Sequence, residues 1–229
     1  MFGLLSEKPE YSQIIQPFIA LAPVTRLANV KTLMRFPISN RAFMSYLYET
    51  GGSFWPANSM LNSIGKNICS KPILAEICAL SMFLFSGFDA PQLNKTRMSV
   101  YVSHTPAGSS AWNVLHYGQS LRSKLFRKFD FGEEENVRRY GSRTPPVYDL
   151  LNISKTSKKF IALLHSRNDY LADTNDVRFI YDKLKDNLIL DFQVAFEKWN
   201  HLDFIWGLQS AKYVNVIVIQ LLEKYRNYP

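Results

Sequence analysis

"FIALLHSRNDYLAD", residues 160–173, decides the fold. Its first five residues form an unbroken apolar run that is too short for a helix and closes on polar side chains. This is the pattern of a buried parallel strand running into a loop. "FIALA" (Phe18 to Ala22) and "LILDFQVAF" (Leu188 to Phe196) read the same way. Helical patterns lie around them, from Asp176 to Leu184 between the second and third strands and from Gln209 to Tyr225 after the third. In the last segment Val214, Ile217, Val218, Leu221 and Leu222 recur at helical spacing, which predicts a stripe packed against a sheet. Strand, helix, strand, helix argues for an α/β architecture.

At 229 residues and 47% hydrophobic, the chain is large enough for one core, with or without an insertion. Lys and Arg number 27 against 19 Asp and Glu, and the net charge of +8 admits anionic partners such as a lipid surface or nucleic acid. The basic groups cluster at 122–128, 138–143 and 155–159. No RNP-like, zinc-finger or helix-turn-helix pattern accompanies them, so they read as a solvated face and no nucleic-acid partner is expected. Cys69 and Cys78 are the only cysteines, and either one bridge closing a small loop or two buried thiols would fit. The sequons Asn94-Lys95-Thr96 and Asn152-Ile153-Ser154 make both asparagines candidate glycosylation sites and lean towards an oxidising compartment.

Met1 to Pro9 lacks the basic start and long apolar run of a signal peptide, which suggests an incomplete chain. The longest apolar stretch, Ile73 to Phe88, is interrupted by Glu76 and falls short of the roughly 20 residues that span a bilayer. It reads as a buried or interfacial helix, and no transmembrane segment is expected. Between the first two strands, more than a hundred residues break the alternation. Leu27 to Ser86 reads mostly helical, with breaks at Gly51-Gly52 and Pro56, and Gly87 to Asp149 is rich in turn residues and aromatics. Such an insertion suits an active-site cover or an ordinary second domain.

Open α/β sheets place their chemistry just beyond the carboxyl ends of the strands. Asp169 stands just past the second strand, and "WNHLDFIWG" (Trp199 to Gly207) places His201 just past the third. A histidine among bulky apolar residues is ordinarily a satisfied core or capping group. An acid after one strand and a histidine after the next is also the end of the Ser, Asp, His order of α/β-hydrolases, in which the acid orients the imidazole and the imidazole activates a serine.

"FIALAPV" (Phe18 to Val24), "FSGFD" (Phe85 to Asp89), "YVSHTPAGSS" (Tyr101 to Ser110), "NDYLADTNDV" (Asn168 to Val177) and "NHLDFIWG" (Asn200 to Gly207) together resemble the animal acid lipases, the gastric and lysosomal family, in order across nearly the whole chain. The resemblance implies the C-terminal part of an α/β-hydrolase fold with a helical cap and lid insertion. Core would occupy 1–27 and 153–229, and cap and lid 28–152, with the lid around Cys69 to Phe85. It further implies hydrolysis of neutral lipid esters, triglyceride or cholesteryl ester, at a lipid–water interface. No cofactor or metal is implied, and a secreted or lysosomal location is. Asp169 would be the acid, His201 the base and Cys69 with Cys78 the disulfide. Asp173 and Asp176 read as helix N-terminal charges.

The departures are equally specific. The family's serine lies in a G-x-S-x-G elbow, and this sequence contains none. Met1-Phe2-Gly3 aligns a few residues after the elbow, so the nucleophile and both oxyanion donors are expected to be missing and the chain alone to be inactive. Ser6, Ser109 and Ser110 are poor substitutes, because none follows a strand in a glycine-flanked turn. "HSR" (His165 to Arg167) stands where the family carries Asn-Gly-Gly. The alternative to an esterase part is a non-catalytic fragment that binds a lipid interface or a lipase.

Overall fold

The computed structural model describes residues 1–50, 53–54, 59–105 and 107–226, so the expected breaks at Gly51-Gly52 and Pro56 lie outside the described residues. Three parallel strands, β1 (Phe18–Leu21), β4 (Ile161–His165) and β5 (Leu188–Gln193), form a sheet in the order β1-β4-β5. A two-residue pair, β2 (Ser53–Phe54) and β3 (Ser109–Ser110), forms a separate antiparallel ribbon. The expected α/β class is therefore present.

All three runs from the sequence form strands, with shifted ends. β5 stops at Gln193 because its neighbour β4 stops at His165. The Val194 N–H donates to the His165 carbonyl at 2.9 Å, after which the chain leaves the ladder and the Phe196 carbonyl accepts from the Trp199 N–H at 3.0 Å. Only β4, flanked on both sides, buries four successive residues; β1 and β5 are mostly half-buried.

Alternation along β4 divides the core. Ile161 and Leu163 face a cluster with Phe2 and Leu5 of α1 (Phe2–Glu7), Ile153 of α9 (Leu151–Ser154), and Ile180 and Leu184 of α10 (Thr174–Leu184). Ala162 and Leu164 face Val177, Trp199, Phe204 and Val214 on the other side. α10 begins at Thr174 because the Asp173 side chain accepts from the Asn175 N–H as an N-cap. The C-terminal segment opens with a π-turn over Ala211–Asn215 and continues as α12 (Val216–Tyr225). Ile217, Val218 and Leu221 pack on the sheet behind Val214, whereas Leu222, expected in the same stripe, is 50% exposed. Leu222 adjoins Leu221, and a step of about 100° carries it off the packed face.

Between β1 and β4 the chain is mainly helical, with α2 (Arg35–Ser39), α3 (Arg41–Thr50), α4 (Ser59–Cys69), α5 (Pro72–Ser86), α6 (Met98–His104), α7 (Ala111–Ser123) and α8 (Glu133–Tyr140). α4, α5 and α6 share an apolar cluster around Ala79, Phe83 and Met98, and α3 and α7 share another around Met44, Leu47 and Leu115. Cys69 and Cys78 form a disulfide that joins the end of α4 to α5, settling the choice between bridge and free thiols. Among the described residues no helix is long and apolar enough to cross a membrane. α5 buries Ala75, Ala79 and Phe83 and presents Ile73, Ile77 and Leu80 to solvent.

Candidate active site

Asp169 and His201 meet. Each sits in the loop that leaves a neighbouring strand, β4 for the acid and β5 for the histidine, so parallel register carries residues 32 apart in sequence to one end of the sheet. His201 Nδ1 lies 2.8 Å from Asp169 Oδ2. The carboxylate accepts, so Nδ1 is the donor, and in the neutral imidazole Nε2 is the nitrogen that carries the lone pair. Among the described residues nothing bonds to Nε2.

The two side chains are set in opposite surroundings. Asp169 is 1% exposed, and its Oδ1 accepts the backbone N–H groups of Leu171 at 2.8 Å and Ala172 at 2.7 Å. Three donors thus compensate its burial. The His201 side chain keeps 29% exposure, enough for a reacting group to reach it.

A network of backbone bonds holds both loops against the end of α5. The Ser86 carbonyl accepts from the N–H groups of Tyr170 and His201 at 3.3 and 3.2 Å. Asn200 Nδ2 donates to the Gly87 carbonyl at 2.9 Å, and Asn168 Nδ2 donates to the Phe88 and Lys198 carbonyls at 3.0 and 2.7 Å. Within the histidine turn Asn200 Oδ1 accepts from Leu202 and Asp203, while Asp203 Oδ2 accepts from Asn200. Further on, Gln92 exchanges bonds with Leu208 and Gln209. The "FSGFD" stretch is therefore the piece that grips both the Asp169 loop and the His201 loop.

Asp173 and Asp176, read from the sequence as helix N-terminal charges, occupy that place and bind a second segment. Asp176 accepts from Arg26 Nε at 2.8 Å and from the backbone and side chain of Asn29, and Asp173 pairs with Lys31 at 2.7 Å. The stretch after β1 is thereby held beside the Asp169 loop, where Lys31 and Thr32 donate to the Tyr170 carbonyl.

No serine meets the imidazole among the described residues. The Ser6 hydroxyl is buried and donates to Gly3 within α1, Ser110 caps α7, and Ser109 accepts from Asn113. In the "HSR" loop His165 Nε2 faces Asp191 Oδ1 at 3.1 Å across β4 and β5, and Ser166 is fully buried. Of the sequon asparagines, Asn94 accepts from Thr96 through its side-chain oxygen, and Asn152 donates its amide to the Ser6 carbonyl at 3.1 Å. Two clefts, of about 380 and 410 Å³, are lined by neither Asp169 nor His201. No metal-binding group of three or more His, Cys, Asp or Glu side chains occurs among the described residues.

Asn168, Asn200, Gly87, Asp89 and Asp203 escaped the sequence reading as site residues. The available signal was polar residues set among bulky apolar ones, in Phe88-Asp89 and in Leu202-Asp203-Phe204, where burial requires partners.

The chain is 36% identical over 231 residues to Lipase 3 of Drosophila melanogaster, covering 97% of this chain and 56% of that protein. It is 32% identical over 222 residues to gastric triacylglycerol lipase of Bos taurus, covering 96% and 54%. Against lysosomal acid lipase/cholesteryl ester hydrolase of Homo sapiens it is 32% identical over 233 residues, covering 98% and 55%. The chain spans about half the length of these relatives. No family model matches it.

Proposed function

The chain belongs to the family of gastric and lysosomal acid lipases, and from that premise we propose that Asp169 and His201 are the acid and base of a carboxylic ester hydrolase acting on neutral lipid esters. The single observation that supports this most is the 2.8 Å bond between Asp169 and His201 at the ends of adjacent parallel strands, with Nε2 left open. In this arrangement Nε2 takes the proton of a serine hydroxyl as it attacks the ester carbonyl, and the buried carboxylate stabilises the imidazolium that results. His201 then returns the proton to the leaving alkoxide.

The serine belongs to a G-x-S-x-G turn, a motif absent from this sequence. Without it the base has nothing to activate and no oxyanion donors to work with, so residues 1–229 alone are inactive. Segment 28–152 is the cap, with the lid around Cys69 to Phe85, and 1–27 and 153–229 belong to the hydrolase core. The exposed Ile73, Ile77 and Leu80 on α5 suit contact with a lipid surface. The secreted or lysosomal setting of the relatives fits the Cys69–Cys78 bridge and glycosylation at Asn94 and Asn152.

The test is turnover of a short-chain p-nitrophenyl ester by the chain and by its His201→Ala variant. Equal, background-level rates are expected. Activity that disappears with His201→Ala would show that a serine within this chain serves as nucleophile, and the division of labour proposed above would be wrong.

A further inference from the structure

We propose that Asn168 is a positioning residue: its side-chain amide braces the Asp169 loop against the His201 loop and so sets the contact between Asp169 and His201. It rests on the reading of those two residues as acid and base. The backbone ladder stops short of them. Its last rung between the β4 and β5 chains runs from the Val194 N–H to the His165 carbonyl at 2.9 Å. Asp169 lies four residues beyond that rung and His201 seven. Among the described residues the next bond from one loop to the other is made by a side chain, where Asn168 Nδ2 donates to the Lys198 carbonyl at 2.7 Å. Beyond it comes the Asp169–His201 bond itself. Asn168 thus adds a rung between the end of the sheet and the pair.

The chemistry of the amide makes this rung a spacer. Asn168 Nδ2 also donates to the Phe88 carbonyl at 3.0 Å, and both partners are carbonyl oxygens, which accept and do not donate, so the NH2 end of the side chain faces them. A planar NH2 group holds its two N–H bonds at a fixed angle, and each bond tolerates a narrow range of distance. The Phe88 and Lys198 carbonyls are therefore held at one separation, with Asp169 as the next residue along the chain from the brace.

Asn200 has a different task on the other loop. Its Oδ1 accepts from the Leu202 and Asp203 N–H groups at 2.8 and 3.1 Å, which shapes the turn that leads into α11 (Asp203–Trp206), and its Nδ2 donates to the Gly87 carbonyl. Asn200 forms the turn that carries the histidine, and Asn168 fixes how far that turn stands from Asp169. Reactions of this kind are steep in geometry, since a misplacement of about 1 Å costs about 10²-fold in rate. A brace that touches neither reacting group thereby acts on the pair.

The downfield proton signal of His201 Nδ1–H in the 229-residue chain reads the contact, and melting temperature reads stability beside it. Asn168→Ala is expected to shift that signal upfield and broaden it. Asn187→Ala is the matched control: Asn187 is buried and its Nδ2 also donates to two carbonyls, those of Thr156 and Lys158 at 2.8 and 2.9 Å, but at the opposite end of β5. Its loss should lower the melting temperature and leave the His201 signal in place. A signal as sharp and as far downfield in Asn168→Ala as in the unaltered chain overturns the proposal, and so does an equal loss in Asn187→Ala. If Asn168→Ala does not fold, Asn168→Gln, which keeps the amide but moves it by one methylene, is read the same way. Asp169→Asn separates the two readings: a signal that survives it would show that Asp169 does not hold His201, and would discredit the acid–base assignment instead of the brace.

Discussion

Gly87 approaches Asn168 so closely that a Cβ on the glycine would stand 2.0 Å from the Asn168 carbonyl oxygen. Its φ of +111° is also one that side-chain-bearing residues rarely adopt. The contact joins the end of helix α5 to the residue immediately before Asp169. Gly87→Ala is expected to cost at least about 2 kcal/mol from overpacking and backbone strain together. Urea unfolding measures the loss, and a cost within about 0.5 kcal/mol of zero would mean that the approach is looser than described.

Asp169→Asn tests the hydrogen bond itself. The asparagine oxygen can keep the Leu171 and Ala172 N–H bonds, but its amide then presents N–H towards the protonated Nδ1 of His201. The downfield proton signal of His201 Nδ1–H should disappear, with little change in the amide spectrum elsewhere. In a serine-supplied form of the protein the same change should lower kcat about 10⁴-fold.

Asp176→Ala removes the carboxylate that binds Arg26 and both donors of Asn29. A stability loss of about 2 to 3 kcal/mol is expected, because charge-assisted bonds to a buried carboxylate are broken. Hydrogen exchange should speed up at Lys31 and Thr32, whose N–H groups bond to the Tyr170 carbonyl beside the acid. Unchanged exchange there would show that this segment is held independently of Asp176.

Reducing the Cys69–Cys78 bridge, which spans nine positions, should cost about 2 to 3 kcal/mol from restored loop freedom. The effect should be confined to α4 and α5. Melting with and without reductant reads the total, and the carbonyl-to-N–H bonds of the β1-β4-β5 sheet should keep their exchange protection.

The sheet and the meeting of Asp169 with His201 were legible because both depend on short-range patterns. Phe160 to Leu164 cannot be exposed and cannot be a helix, and a polar residue just after such a run falls at the strand end, which is how Asp169 and His201 were found. Helix ends were less legible: Asp173 as cap moved the start of α10 two residues earlier than its apolar stripe suggests, and the π-turn at Ala211–Asn215 leaves no periodic trace. Leu222 was misplaced because an apolar residue beside Leu221 fits the stripe by type but not by angle. Likewise, spacing alone left the cysteines undecided between bridge and thiols.

The most direct test joins residues 1–229 to the serine-bearing segment of a family member and measures hydrolysis of an emulsified neutral lipid ester. The account predicts turnover in the joined protein that falls by about 10³- to 10⁶-fold with His201→Ala. A folded, joined protein whose hydrolysis is indifferent to His201→Ala would contradict it.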